Sequence, residues 1–436
     1  ASGDTLRGDT VIERSGLQPG DTLTGLMRQP QVQASCGAFA IVQSDGSVRS
    51  SGHAAYGGCC ASITSKLQDM QALQSAFCAG CGAFAGIRGD GTVFTWGSAA
   101  SGGNLTRSQE TQEVLCGVRQ IQRSNCFGGC AFAAIRYDGS VFTWGDSVMG
   151  GDSSLVQCQL TDVQWIQASE GSFAALRKDG TVVTWGLPDT GGHSSYVLAK
   201  LHNVRKIQAS RRAFAAIRED GSVVTWGDAK GGGDSNSVQE QLHDVKDIQA
   251  NWFSFAAIRT DGHLITWGHA SSGGDSSVVV QRLQGRKVQQ IQAARGAFAA
   301  VLDDETVIAW GEPDFGGDCS QVQSELVNVQ HIQATEGAFA ALRADGKVVT
   351  WGERSYGGDS LSVAESLADV LKIQATEAAF AAVLGDGSVV TWGDADSGGD
   401  SQHVQCRLRG VIDIQAAPKA LCALLHDESV VIWGSV

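Results

Sequence analysis

From residue 31 onward, apolar and polar positions follow one short pattern that repeats along the chain. The copy from Val204 to Gly227 reads V-R-K-I-Q-A-S, R-R, A-F-A-A-I-R, E-D-G, S-V-V-T-W-G. Three short runs of β-forming residues separated by turn residues predict three strands. Asp220-Gly221 joins the middle and last runs, where glycine accepts the positive φ of a tight hairpin turn. The same pair stands at Asp45-Gly46, Asp90-Gly91, Asp138-Gly139, Asp179-Gly180, Asp261-Gly262, Asp345-Gly346 and Asp386-Gly387. Strand alternation puts Phe214 and Ala216 on one face and Ala215 and Ile217 on the other. On the last strand Val224 and Trp226 oppose Val223 and Thr225. Both faces are mostly apolar, so each small sheet is expected to lie sandwiched between neighbours.

The closing Trp-Gly pair recurs at Trp96, Trp144, Trp185, Trp226, Trp267, Trp310, Trp351, Trp392 and Trp433, and six of these eight intervals are 41 residues. A degenerate copy ends at Ser51-Gly52, which makes ten copies over residues 31–436. Self-similarity at this period signals stacked small sheets, as in a propeller or solenoid. The periodic tryptophans are then packing residues between units rather than ligand platforms.

Two more columns repeat. Each Trp-Gly is followed by a variable stretch that settles into Gly-Gly-Asp-Ser, with Asp152, Asp234, Asp275, Asp318, Asp359 and Asp400 one per unit. Calcium needs six to eight oxygens, so turn capping by the side chain is the expected role. The glutamine of I-Q-A recurs at Gln33, Gln122, Gln167, Gln208, Gln249, Gln292, Gln333, Gln374 and Gln415. If buried, these amides must bond to backbone or to each other across units; a polar channel lining is the alternative.

The bulk numbers narrow the function. With 42% apolar residues, 56 glycines and 5 prolines, the 436-residue chain suits a large core with many tight turns. A net charge of −14 argues against binding nucleic acid through its phosphates. No run approaches the roughly 18 apolar residues of a membrane span, so any membrane contact is expected to be peripheral. The first residue is Ala1 rather than Met, as in a processed or partial product, organellar and secretory origins included, and the compartment stays open.

Twelve cysteines are too few for a disulfide-built scaffold of this size, and nine fall before residue 160. Cys78, Cys81, Cys126 and Cys130 lie in the connections between first and second strands of adjacent units. They offer buried thiols, disulfides or a tetrahedral zinc site. No G-x-S-x-G, P-loop or H-E-x-x-H is present, so no enzyme and no cofactor is expected. The same connections vary from unit to unit, and such loops on a constant frame tend to carry binding. Arg211, Arg212, Trp252, Phe253 and Arg295 are the candidate partner contacts there, with exposed aromatics and arginines the strongest anchors. Trp165, which borders a core strand, has a weaker claim.

The pattern A-F-A-A-I-R-x-D-G-S-V-V-T-W-G resembles the repeat of the regulator-of-chromosome-condensation (RCC1)-like propeller family over residues 31–436. That resemblance implies an all-β propeller array of about ten short antiparallel blades, of the compact three-stranded kind. A wide closed ring is expected, with an open superhelical stack as the alternative. The sequence departs from the family in carrying Ala, Ser or Gly-Ala where a His often precedes the middle strand, and G-G-D-S in place of G-Q-L-G. The leading expectation is a non-catalytic scaffold or accessory subunit docking other proteins within a larger assembly. Guanine-nucleotide exchange on a small GTPase, as the resemblance implies, and a cysteine-based metal or redox module are the alternatives. Residues 1–30 are expected to form an N-terminal extension; Gly16–Thr24 resembles the end of a ubiquitin-like domain.

Overall fold

The computed structural model describes residues 31–435 except 36, 62, 79–80, 106–114, 125–128 and 428. The extension over residues 1–30 lies outside the described residues. Among the described residues the chain forms ten separate three-stranded antiparallel sheets, each in the order first, middle, outer strand. Beyond these the described residues form short 3-10 turns, a π-type turn at Ser147–Gly151 and one α-helical turn at Val280–Leu283. No described helix is long and apolar enough to cross a membrane.

The fifth unit shows how the sequence builds a blade. Its strands are Val204–Ala209, Ala213–Arg218 and Val223–Gly227. The Asp220-Gly221 turn forms as expected, with Gly221 at φ 77°. The Asp220 carboxylate accepts from the Ser222 backbone N–H at 2.9 Å and its hydroxyl at 2.6 Å. Those hydrogen bonds, side chain first, hold the Asp220 carboxyl below its ordinary value. The seventh unit departs from this: Glu305 occupies the glycine position and is held at φ 61°.

The core lies between blades. Phe214, Ala216, Val224 and Trp226 pack toward the fourth unit, against Ala174, Leu176 and Val182. Ala213, Ala215, Ile217 and Val223 pack toward the sixth, against Ile248, Phe255 and Trp267. Both faces of the sheet are therefore consumed, as the pattern of apolar positions required. Phe214 and Trp226 are Cα partners whose rings stack at 5.2 Å. Each such buried aromatic contributes roughly 1.5–3 kcal/mol, against about 1 kcal/mol for a typical hydrogen bond. Burial dominates the joint.

A polar contact then fixes its register. The Trp226 indole N–H donates to the Gly191 carbonyl of the preceding linker at 3.1 Å. Gly191 sits at φ 99°, and a Cβ there would come within 2.5 Å of Phe214. The same indole-to-glycine bond ties Trp96, Trp144, Trp185, Trp267, Trp310, Trp351, Trp392 and Trp433 to the unit before each.

Capping explains the aspartate column. Asp152, Asp234, Asp275, Asp318, Asp359 and Asp400 each accept from the backbone N–H two residues on. The glutamine column differs from the buried-bond expectation. Gln208 and most of its counterparts are half-buried, and the bonds found join Ser75 to Gln33 and Gln415 to Asp413. First strands of successive units lie side by side, which puts these amides on the innermost strand, where water can satisfy them.

The two ends of the array touch. The first strand of the first unit (Gln31–Ala34) lies beside that of the tenth (Val411–Ala417). Phe39, Ala420 and Cys422 share one buried cluster there.

Candidate functional site

The candidate partner contacts sit on three-residue connections between first and middle strands. What holds these connections is a column of small polar side chains. Ser210 Oγ donates to Gly231 O at 2.8 Å, and Thr335 and Thr376 hydroxyls reach Tyr356 O and Ser397 O at 2.9 and 3.0 Å. Asn251 does the same work, donating to Ser272 O at 2.6 Å and accepting from the Phe253 and Ser254 amides. Each connection is thereby pinned to the turn that follows its own Trp-Gly pair.

The connections are also bonded to one another. The Glu170 N–H donates to Arg211 O at 2.8 Å, Arg211 to Trp252 O at 3.2 Å and Trp252 to Arg295 O at 3.4 Å. Arg295 donates to Glu336 O at 2.9 Å, Glu336 to Glu377 O at 2.8 Å and Glu377 to Pro418 O at 2.9 Å. Seven successive units are laced by one backbone ladder that runs in a single direction. Side chains 41 or 43 positions apart in sequence become immediate neighbours.

That adjacency decides the fate of Trp252. The Arg211 guanidinium lies 4.6 Å from its ring centre and that of Arg295 4.1 Å. Arg211 also pairs with Glu170 at 2.6 Å, and Arg295 reaches Glu336 at 4.0 Å. Trp252 is half-buried between two cations, not an exposed anchor, because flanking guanidiniums gain about 0.5–2 kcal/mol apiece from an aromatic face. Phe253, also half-buried, meets Trp252 edge-on at 6.2 Å and leans on His269. Arg212 points to the adjoining turn and pairs with Asp228 at 3.3 Å. Trp165, the weaker candidate, is the more open indole at 46% exposure.

Inside the ladder lies an open cavity of about 500 Å3 walled by equivalent residues of the fifth to tenth units. Ala209, Ala250, Ala293, Ala334, Ala375 and Ala416 line it, with Arg211, Trp252, Arg295, Glu336, Glu377 and Pro418 at its edge. Burial pushes the Glu336 carboxyl above its ordinary value, the Glu377 charge adds to that, and Arg295 and Arg211 oppose it. Burial also raises Glu377, opposed by Lys419 and Arg123. Glu170, Glu336 and Glu377 were not singled out from sequence; aligning the copies places them in one column with Arg211, Trp252 and Arg295.

The cysteine candidates divide. In the second unit the first hairpin is longer, Met70–Cys78 pairing with Cys81–Arg88, and Cys78 is the Cα partner of Cys81 at its end. Cys130 is buried with Ala76, Ala83 and Ala131's neighbour Phe132 at the joint of the second and third units. Cys126 lies outside the described residues.

No family model matches the chain, and no curated protein matches it. Solved structures do. Human WBSCR16 is similar at 15% identity over 75% of this chain and 94% of its own, with a TM-score of 0.39. Prp20p from Saccharomyces cerevisiae, whose binding properties to Gsp1p and histones are described, is 16% identical over 70% of this chain and 80% of its own, at a TM-score of 0.36. The CRINKLY WD40 ectodomain of the Arabidopsis thaliana receptor kinase ACR4 is 15% identical over 73% of this chain and 97% of its own, at 0.35. Because these scores lie below 0.5, the all-β assignment rests on the ten sheets themselves. Ten three-stranded blades are what the RCC1-like repeat implied.

Proposed function

We propose that the chain is a non-catalytic docking scaffold, an accessory subunit of a larger assembly, with its array closed on itself. The observation that carries this reading is the ladder from Glu170 to Pro418, whose backbone bonding repeats while its side chains vary among Glu, Arg, Trp and Pro. A fixed frame presenting unlike residues along one rim suits recognition of a specific protein surface. The net charge of −14 disfavours a nucleic-acid partner.

The test is affinity isolation from the native source with the intact chain and with Arg211→Glu/Trp252→Ala. Loss of the captured protein with an unchanged melting temperature supports the reading. Undiminished capture removes this rim from consideration. Accelerated nucleotide release from a panel of small GTPases would replace docking by exchange.

A further inference from the structure

The ladder brings five charged residues to one mouth, and four of them are matched: Glu170 with Arg211, and Arg295 with Glu336. Among the described residues Glu377 has no ion pair within 4 Å, and its side chain makes no hydrogen bond. It nevertheless edges the 500 Å3 cavity. Lys419 and Arg123 act on it only from further away. The Trp252 ring already carries the Arg211 and Arg295 guanidiniums, at 4.6 and 4.1 Å from its centre. The cavity's vacant chemistry is one half-buried carboxylate above a wall of methyl groups from Ala375 and Ala416. A group that satisfies both carries a single positive charge on a flexible apolar stem. The volume falls within the roughly 300–1,000 Å3 of ordinary ligand pockets.

We propose that this cavity receives one cationic side chain, of lysine or arginine type, from a docked polypeptide, with its charged head on Glu377 and its methylene stem along Ala375 and Ala416. The proposal rests on the docking reading and names what the partner must present at the centre of the rim. A charge-assisted hydrogen bond in a partly desolvated setting is stronger than a neutral one, which sets the expected discrimination.

Saturation-transfer NMR on the intact chain, with Nα-acetyl-lysine amide and Nα-acetyl-arginine amide as probes, tests it without any partner. One of the two is expected to saturate, with Nα-acetyl-norleucine amide at least about tenfold weaker. Glu377→Gln is expected to weaken the basic probe by a similar factor with no fall in melting temperature. Glu312→Gln, on the same rim but outside the cavity, is expected to leave it unchanged. Equal binding of the norleucine probe, an unaffected Glu377→Gln variant, or no saturation by either basic probe overturns the proposal. Tighter binding of n-butylamine than of both probes overturns the polypeptide as the source. Failure to isolate a partner would sink the docking reading and leave these titrations standing.

Discussion

The joint between the fifth and sixth units and the joint between the tenth and first are built from the same repeat, yet they differ in material. The former buries Ala213, Ala215, Ile217, Val223, Leu242, Val245, Ile248, Phe255, Ala257, Ile265 and Trp267 together. The latter buries Phe39, Ala420 and Cys422, with Ile41, Ala417, Val430 and Ile432 partly covered. In the interior joint Phe255 stacks on Trp267 at 5.2 Å, and the indole bonds back to Gly232 at 3.0 Å. At the meeting of the ends, Phe39 faces Ser51, and Trp433 faces Leu421. Each terminal copy thus lacks one half of the aromatic pair. Stability in a repeat array is a sum over such joints, so this one is expected to open first.

The strongest way to break the comparison is to truncate the same column in both places. Phe214→Ala should cost about 3–5 kcal/mol and lower the denaturant midpoint of the whole array. Phe39→Ala should cost clearly less, and hydrogen exchange should show added opening confined to the first and tenth units. Equal, global effects would mean the joints are equivalent. Next comes Trp267→Phe, which keeps a ring but removes the N–H. It should cost about 1–3 kcal/mol, because the Gly232 carbonyl is left buried without its donor.

A smaller effect, of opposite sign, is expected at the seventh unit. Glu305→Gly should raise stability by about 1 kcal/mol by relieving a left-handed backbone on a residue with a Cβ, read from the same midpoint. Smallest is Glu377→Gln. Burial raises the folded Glu377 carboxyl above the ordinary 4.5, so the native state holds that proton to higher pH than the unfolded chain. Its stabilising contribution is complete below 4.5 and is lost as pH rises through the folded value. The wild type should therefore weaken over that window relative to Glu377→Gln, measured as melting temperature against pH.

Much of the architecture was legible because it depends on short-range rules. Alternation along Ala213–Arg218 placed both faces correctly, Asp220-Gly221 gave its hairpin, and the aspartates after Gly-Gly proved to be caps. The site was less legible because its neighbours come from different copies. Read along the chain, Trp252 stands beside Phe253 and has no charged partner. Read down the repeat, it stands between Arg211 and Arg295, which is where the fold puts it. The glutamines misled for a related reason: pattern gives the strand and the face, but not how much water reaches the innermost strand.

Proline at 418 has a consequence for the whole assembly. Arg211, Trp252, Arg295, Glu336 and Glu377 each give and take a hydrogen bond in the ladder, while Pro418 takes one from Glu377 and has no N–H to pass on. The relay of amides, which runs from the fourth to the tenth unit, thus has a fixed end, and that end falls in the unit where the aromatic pair is also incomplete. Parting the tenth unit from the first would therefore leave all six amide bonds of the relay in place.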